Sequence, residues 1–414
     1  MAGSARASAL QTLASVGLFC LPALVIAVPS NLLPFGLILL ASSLIGADYL
    51  WRTLPAAGKP LWGLAALTAL ALAVTALSIW QFDFGLRDFD NRSRFVVMPW
   101  VMLWLCALRP APLAWWWGAV VGLMVVAGLS FQQVLAGAER ADLWTNAIVL
   151  ADMSLMLMVV AVFCRPAQAA RWVVLALVAG IAVIVLSGSR GVWLPLALLL
   201  ITMVMTLRWG RLRTRWLSLL AAASLAIGAV ALVPGVSDQL RLTELQQDMQ
   251  RLDRGDVNSS AGARWERLQV AWETFQEHPW QGVGIGHFDD AMRRLPACQL
   301  TQGAPQRCFL SHAHNDLAEW AATQGIPGIL LLLAVYGGPL AMFVWLYRRS
   351  GRQEFRGPAA AGVMLVAAYV LCGMTQSMFA HQITASFYVC AIGVLVGQGW
   401  MEVRAQRRGG STNG

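Results

Sequence analysis

Charged residues are scarce in this chain of 414 residues, at 12% of the total, whereas about 25% is usual in soluble proteins. Hydrophobic residues make up 58%, and the mean hydropathy is +0.62. Apolar runs long enough to cross a hydrocarbon core of ~30 Å recur along the whole chain. This balance excludes a soluble globular domain. It predicts an all-α, polytopic membrane protein, because a helix pairs its own backbone polar groups inside a bilayer.

The apolar runs predict about twelve transmembrane helices in two blocks. Their approximate bounds are 8–28, 31–50, 61–82, 95–108, 112–133, 147–164, 172–187, 192–207, 216–234, 315–346, 358–380 and 383–402. Between the ninth and tenth runs lies the only long polar segment of the chain. The predicted organisation is therefore helices 1–9 in residues 1–235, one large loop in 236–314, and helices 10–12 with a tail in 315–414.

Lysine is almost absent, with Lys59 as the only one, so nearly all positive charge comes from arginine. If the N-terminus is cytoplasmic, every predicted cytoplasmic loop carries at least one basic residue, and two of them carry four. Basic residues near the ends of spans stay on the cytoplasmic side. This pattern predicts cytoplasmic N- and C-termini and an external loop at 236–314. The net charge of +9 then reflects membrane topology and gives no reason to expect nucleic acid as a partner.

The cysteines and histidines show no metal-binding spacing. Five of the seven cysteines lie in predicted spans, and only Cys298 and Cys308 lie in the external loop. In an oxidising compartment these two can form a disulfide, with free thiols as the alternative. His312 and His314 could supply two metal ligands, but no third ligand is evident. We therefore predict neither a metal nor another cofactor.

Histidines concentrate in the external loop. Four of the five fall there, namely His278, His287, His312 and His314. Histidine has an unperturbed pKa of about 6.5, which suits proton transfer near neutral pH. The last two lie at the rim of the tenth predicted span. A membrane protein that gathers its histidines on one side of the bilayer is expected to carry out chemistry there.

The loop also contains two predicted amphipathic helices, at about 237–253 and 263–277. The apolar face of the second helix holds Trp265, Leu268, Trp272 and Phe275. Arg264 and Arg267 share a neighbouring face, because residues three apart are neighbours on a helix. Taken alone, these arginines would form a solvated face paired with acids such as Glu266.

Glycines follow the second loop helix in the run from Gly282 to Phe288. This G-x-G-x-G pattern does not follow a strand of a βαβ unit, which argues against dinucleotide binding. It allows the backbone to pass close to a ligand or to a neighbouring helix.

Arg190 stands among small residues, in Ser187-Gly188-Ser189-Arg190-Gly191, at the external end of the seventh predicted span. An arginine near the hydrocarbon edge either extends towards water or needs a partner. The small flanking residues leave room for a phosphate, which a guanidinium binds through two parallel hydrogen bonds. Phosphate binding and simple extension to the interface both fit the sequence.

The order of these motifs resembles the O-antigen ligase and polymerase family. The family pattern is a histidine, then Asn, Ser or Gln, nine residues and a glycine. Here His314-Asn315 is followed by nine residues and Gly325. The resemblance extends to Ser189–Gly191, to Arg264-Trp265 and to the run from Pro279 to Gly284. The chain length and the single dominant external loop are most similar to the ligases of this family.

The resemblance implies a GT-C-like glycosyltransferase of the bacterial inner membrane with a periplasmic active site. The donor would be O-antigen polysaccharide on undecaprenyl pyrophosphate, and the acceptor a hydroxyl of lipid A–core oligosaccharide, both held among membrane lipids. His314 would be the general base, and Arg190 and Arg264 would bind the donor pyrophosphate in a metal-independent, inverting reaction. Additional site candidates are His312, Arg267, Asn315, Arg293 and Arg294.

Other functions remain as alternatives. Within the family these are the O-antigen polymerase and the protein O-oligosaccharyltransferase. A transporter with twelve spans is expected to have two similar halves and ionisable residues near the membrane midplane, whereas the ionisable residues here cluster on one side. A receptor or assembly protein would give the histidines and arginines no reason to lie together.

Overall fold

The structure is a computed structural model that describes residues 2–206, 260–299, 308, 312–350 and 357–410. Within these ranges the chain is helical and contains no β-strand, which confirms the predicted all-α class. The helices are α1 (Ala2–Leu24), α2 (Leu33–Ile45), α3 (Ala47–Phe82), α4 (Asp90–Ser93), α5 (Val97–Leu108), α6 (Pro112–Leu135), α7 (Ala147–Phe163), α8 (Ala170–Ser187), α9 (Trp193–Thr206), α10 (Ser260–Glu277), α11 (Phe288–Met292), α12 (Asp316–Arg349), α13 (Gly357–Gly373) and α14 (Gln382–Gly410).

Six of the described helices are long and apolar enough to cross a membrane: α1, α3, α6, α8, α12 and α14. Four shorter apolar helices accompany them: α2, α7, α9 and α13. The chain is thus a multi-pass membrane protein. Each span predicted from the sequence overlaps a described helix, except the ninth. That span, at 216–234, and the first loop helix, at 237–253, lie outside the described residues, so the count of twelve stays a prediction.

Helix α7 forms the centre of the bundle. Every residue from Val149 to Phe163 is buried, as expected for a helix that is apolar on all sides. It packs against α6, α8, α9 and α13. Apolar side chains fill most of this centre, and Asp152 and Ser154 are the buried polar residues of α7.

Helix α3 differs from the prediction, in which a loop separated the second and third spans at about 51–60. The structure continues as helix from Ala47 and bends at Gly58, with φ 69° and ψ −163°. This backbone region is essentially restricted to glycine. The bend frees the carbonyl of Ala56, which accepts a hydrogen bond from Arg404 of α14 at 2.8 Å. A glycine kink, rather than a loop, therefore accommodates the Pro- and Gly-containing stretch.

Helix α12 has a second kink of the same kind, at Gly325, with φ 63° and ψ −148°. A Cβ at this position would collide with the backbone of Pro279 and Trp280. The N–H of Ile326 donates to the carbonyl of Pro279 at 2.7 Å. The nine residues that separate Asn315 from Gly325 thus form a short helical segment that ends at this kink.

The glycine run after α10 packs against the kink of α12. The backbone N–H of Val283 donates to the carbonyl of Ala322 at 3.0 Å, and that of Gly284 donates to Thr323 at 2.9 Å. At Gly282, with φ 63°, a side chain would overlap this backbone. Of the two roles that the sequence left open for these glycines, the structure shows close approach to a neighbouring helix.

The orientation of α10 is opposite to the one expected from the sequence, in which the arginine face was solvated. Trp265 and Trp272 are 53% and 59% exposed, so the apolar stripe points away from the described bundle. Arg267 is only 4% exposed and shares the buried face with Val270 and Ala271. The solvated-face interpretation is therefore wrong for Arg267. Its helix packs against α12, and this contact determines which face is covered.

Candidate active site

His314 lies immediately before α12, in the histidine segment (residues 312–315), with a left-handed backbone of φ 55°. The next residue, Asn315, caps α12, because its side-chain oxygen accepts from the N–H of Ala318 at 2.9 Å. Its amide nitrogen donates to the carbonyl of Met374 at 3.0 Å. Asn315 therefore fixes His314 relative to both α12 and the turn that follows α13.

Glu319, one turn into α12, anchors the other side of the histidine segment. Its Oε2 accepts a hydrogen bond from the N–H of Ala313 at 2.6 Å. Beneath it, the guanidinium of Arg92 stacks on the ring of Trp320, 3.6 Å from the ring centroid. Burial lowers the pKa of Arg92 to about 10, and the carboxylates of Asp316 and Glu319 oppose that shift. A buried cation thus lies close enough to interact electrostatically with both Asp316 and Glu319.

The imidazole of His314 contacts Gln376, in the turn between α13 and α14. Nδ1 of His314 lies 2.6 Å from Oε1 of Gln376. Gln376 is 1% exposed. The contact joins residues 62 positions apart in the sequence. Sequence reasoning missed Gln376, because no local motif marks it.

Two further histidines surround His314. The ring centroid of His312 lies 4.5 Å from that of His314 and 4.9 Å from that of His381. His381, just before α14, is the fifth histidine and was not among the predicted site residues. Burial, together with its histidine neighbours and Arg267, lowers the pKa of His312 to about 3. Burial likewise lowers the pKa of His381.

The environment of His314 favours the neutral imidazole. Burial and then the charge of Arg267 lower its pKa, the hydrogen bond to Gln376 opposes them, and the net value is about 4. The charge of Arg264 also lowers the pKa. His314 is therefore unprotonated near neutral pH, and both arginines of α10 lie close enough to influence its charge. The structure brings His312, Arg264 and Arg267 together with His314.

The segment that carries Arg190 lies beside the same turn. Gly191 packs directly against Thr375, with no room between them for a Cβ. Thr375 precedes Gln376, the partner of His314. On the other side of Arg190, the buried hydroxyl of Ser189 donates to the carbonyl of Ala147 at 2.8 Å. The backbone at Arg190 is thus fixed near the histidine segment.

The remaining predicted candidates lie in other surroundings. Arg293, which is exposed, forms ion pairs with Asp289 and Asp290 at 3.4 and 3.2 Å. Arg294 pairs with Glu277. These surface ion pairs account for Arg293 and Arg294 without the histidine segment.

Of the two other loop histidines, His287 stacks on Phe84, with ring centroids 3.7 Å apart. Its Nε2 lies 3.3 Å from Asp88. His278 lies at the end of α10, where its carbonyl accepts from the N–H of Gly282. Neither joins the cluster around His314, so the grouping of four histidines by loop position was too broad.

The loop cysteines and the acids of α12 have structural contacts. Cys298 and Cys308 form a disulfide with Cα atoms 5.3 Å apart. Asp316 accepts a hydrogen bond from the hydroxyl of Tyr336 at 2.7 Å. Among the described residues, no group of three or more His, Cys, Asp or Glu side chains is arranged to hold a metal ion.

The fold and the site define a multi-pass membrane protein with a histidine–arginine site at one end of its helical bundle. Residues 175–333 match the family model described as O-antigen ligase. The matched range includes Arg190, Arg264, His314 and Gly325. A match to this model suggests glycosyl transfer of the ligase or polymerase type.

One curated relative comes from Haemophilus influenzae and bears the name "Uncharacterized protein". It is 21% identical over 322 residues, which cover 74% of this chain and 79% of the relative. The similarity therefore extends over most of both chains, including residues beyond the matched domain.

Proposed function

We propose that the protein is an O-antigen ligase. It transfers O-antigen polysaccharide from undecaprenyl pyrophosphate to a hydroxyl of the lipid A–core oligosaccharide, at the periplasmic face of the bacterial inner membrane. The observation that carries this proposal is the neutral, partly buried His314, close to Arg264 and Arg267 and within the matched range. A neutral imidazole accepts a proton, and neighbouring arginines attract a pyrophosphate.

The proposed reaction is a direct displacement at the anomeric carbon. His314 takes the proton of the acceptor hydroxyl as its oxygen attacks. The bond from the anomeric carbon to the pyrophosphate oxygen breaks, and undecaprenyl pyrophosphate leaves. Arg190 and Arg264 stabilise the negative charge on that leaving group, as preorganised cations do in other phosphate chemistry. A single displacement inverts the configuration at the anomeric carbon.

The lipopolysaccharide of a deletion strain tests the proposed function. We expect lipid A–core without O-antigen, and restoration of the ladder by the intact gene. A single repeat unit on the core would instead identify a polymerase. A normal ladder would contradict both activities.

The role of His314 is tested with the purified protein. His314→Ala should lower the rate of glycan transfer by about 10²–10⁴-fold, since a lost general base has effects of this size. The matched control is His278→Ala, at the end of α10 and away from the histidine cluster, which should keep its rate. Near-normal transfer by His314→Ala would show that His314 is not the general base.

The proposed chemistry needs no divalent cation, because arginines stabilise the negative charge of the leaving pyrophosphate. Transfer by purified protein should continue at an unchanged rate after dialysis against a chelator. If activity disappears and returns with magnesium or manganese, the mechanism is wrong. Asp316 and Glu319 would then be the first residues to test as ligands.

A further inference from the structure

Two groups approach the side-chain amide of Gln376, and one of them, a backbone N–H, determines how the amide is oriented. The backbone N–H of Ser377 points to Oε1 of Gln376 at 3.2 Å. An N–H group donates only to an acceptor, so the atom that receives it is the amide oxygen and not the NH₂ nitrogen. Oε1 is the same atom that lies 2.6 Å from Nδ1 of His314.

The orientation of the amide determines the protonation of the imidazole. A carbonyl oxygen accepts hydrogen bonds and cannot donate one, so Nδ1 of His314 must carry the hydrogen. A neutral imidazole has one N–H, so Nε2 of His314 keeps its lone pair. The second ring nitrogen is thereby left free to act as the base.

We propose that Gln376 is a positioning residue that holds His314 in the tautomer with a hydrogen on Nδ1 and the basic lone pair on Nε2. This inference rests on the proposed role of His314 as general base. Gln376 acts through His314, and the lone pair of Nε2 receives the proton of the acceptor hydroxyl. The proton on Nδ1 stays in place throughout, shared with Oε1.

The choice of an amide rather than a carboxylate has a chemical consequence. A carboxylate at this position would stabilise the imidazolium and raise the pKa of His314. The groups that face His314 are His312 in its own segment, His381 before α14, and Arg264 and Arg267 on α10. Since both arginines already disfavour the protonated form, a neutral acceptor fixes the tautomer without reversing their effect.

The first test uses three substitutions of Gln376 in purified full-length protein. Gln376→Met keeps the approximate size of the side chain but removes the hydrogen-bond acceptor. It should lower kcat roughly tenfold or more, which is less than the 10²–10⁴-fold loss expected when the general base itself is removed. KM should change little, because Gln376 is proposed to act on His314 and not on the substrates. Gln376→Glu restores an acceptor, so it should recover kcat and move the acid limb of kcat/KM to higher pH. Gln376→Ala should match Gln376→Met.

A matched control distinguishes positioning from loss of a buried amide. Gln398 is also buried, at 5% exposure, but lies 16 residues into α14, about 24 Å along the helix from its start. Gln398→Met should keep kcat and the pH profile. Equal losses in Gln376→Met and Gln398→Met would overturn the positioning role and indicate a general effect on folding.

The second test reads the tautomer directly and does not depend on activity. Nitrogen-15 NMR of histidine-labelled protein should show a neutral His314 protonated at Nδ1, with the signal assigned by its loss in His314→Ala. Gln376→Met should shift this signal towards the Nε2-protonated form. An unchanged tautomer in Gln376→Met would contradict the proposal.

The two proposals fail in different ways. If His314→Ala still transfers glycan, the catalytic assignment fails, while the NMR measurement still decides the tautomer. If His314→Ala is inactive but Gln376→Met has wild-type kcat and an unchanged tautomer, only the positioning role is lost.

Discussion

At the scale of single residues, the arginines of this chain differ in their surroundings. Arg267 is buried on the inner face of α10, whereas Arg52 is exposed near the start of α3. The positive-inside rule explains a basic residue such as Arg52 through its charge alone. It gives no reason for arginines in the segments that surround His314. Those arginines should depend on guanidinium geometry.

Replacing arginine by lysine tests this distinction. Arg190→Lys and Arg264→Lys should each lower glycan transfer by roughly 10²-fold or more, close to the effect of alanine, because one ammonium cannot form two parallel hydrogen bonds to a phosphate. Arg52→Lys should leave transfer unchanged, since it keeps its charge. Transfer rates are compared at equal protein levels. Full activity in both site variants would place the pyrophosphate elsewhere, starting with Arg267.

The site residues recoverable from the sequence are those in short motifs. His314, Asn315 and Gly325 form one continuous pattern, and Arg190 stands out because small residues flank it. Gln376 and Arg92 leave no such trace. Their roles come from contacts with segments far along the chain, and nothing in their immediate neighbours signals those contacts. For the same reason the burial of Arg267 was invisible before the packing of α10 was known.

At the scale of elements, two long helices bend at glycines whose backbone angles exclude other residues. In α12 the bend supports the docking of the loop that follows α10, and the histidine segment lies at the other end of the same short helical piece. A substitution at the kink should therefore alter the position of the histidine segment without changing any of its side chains.

Gly325→Ala tests that dependence. The backbone at Gly325 costs a non-glycine residue about 1–3 kcal/mol, and the added Cβ would also displace the chain at Pro279. We expect a lower thermal unfolding temperature in detergent and reduced transfer.

Gly337→Ala, in the same helix, is the matched control. No heavy atom outside the local helix lies within 4 Å of a Cβ at Gly337, so this change should preserve both stability and activity. If Gly325→Ala behaves like Gly337→Ala, the kink is not required.

Element positions were largely predictable, because apolar runs and Pro or Gly breaks are local properties of the sequence. The predictions were wrong where a local sequence pattern is compatible with more than one structure. At Gly58 a kink replaced the predicted loop. In α10 the periodicity identified a helix with two faces, but it could not tell which of them would be covered.

At the scale of the whole molecule, polar segments divide between the two ends of the bundle. The loop between α6 and α7 lies with the Arg190 segment, because Arg140 donates to the carbonyl of Ser187 at 2.7 Å. The loop between α7 and α8 lies at the opposite end of α7. If the proposed topology is correct, only the first of these loops faces the periplasm.

Cysteine labelling in intact cells tests this topology. Glu139→Cys and Gln168→Cys introduce thiols at exposed positions in the two loops. A membrane-impermeant maleimide should label Glu139→Cys in intact cells and Gln168→Cys only after lysis, with the unsubstituted protein as background. The reverse pattern would invert the molecule and contradict a periplasmic site.

The position of Gln376 also bears on how the protein is made. Ribosomes complete the histidine segment and α12 before the turn that contains Gln376 and His381, and α13 must be synthesised in between. A nascent chain that has inserted α12 still lacks the partner of the His314 imidazole. The last two helices therefore complete the surroundings of His314, and a product truncated after α12 would carry this histidine without the amide that contacts its Nδ1.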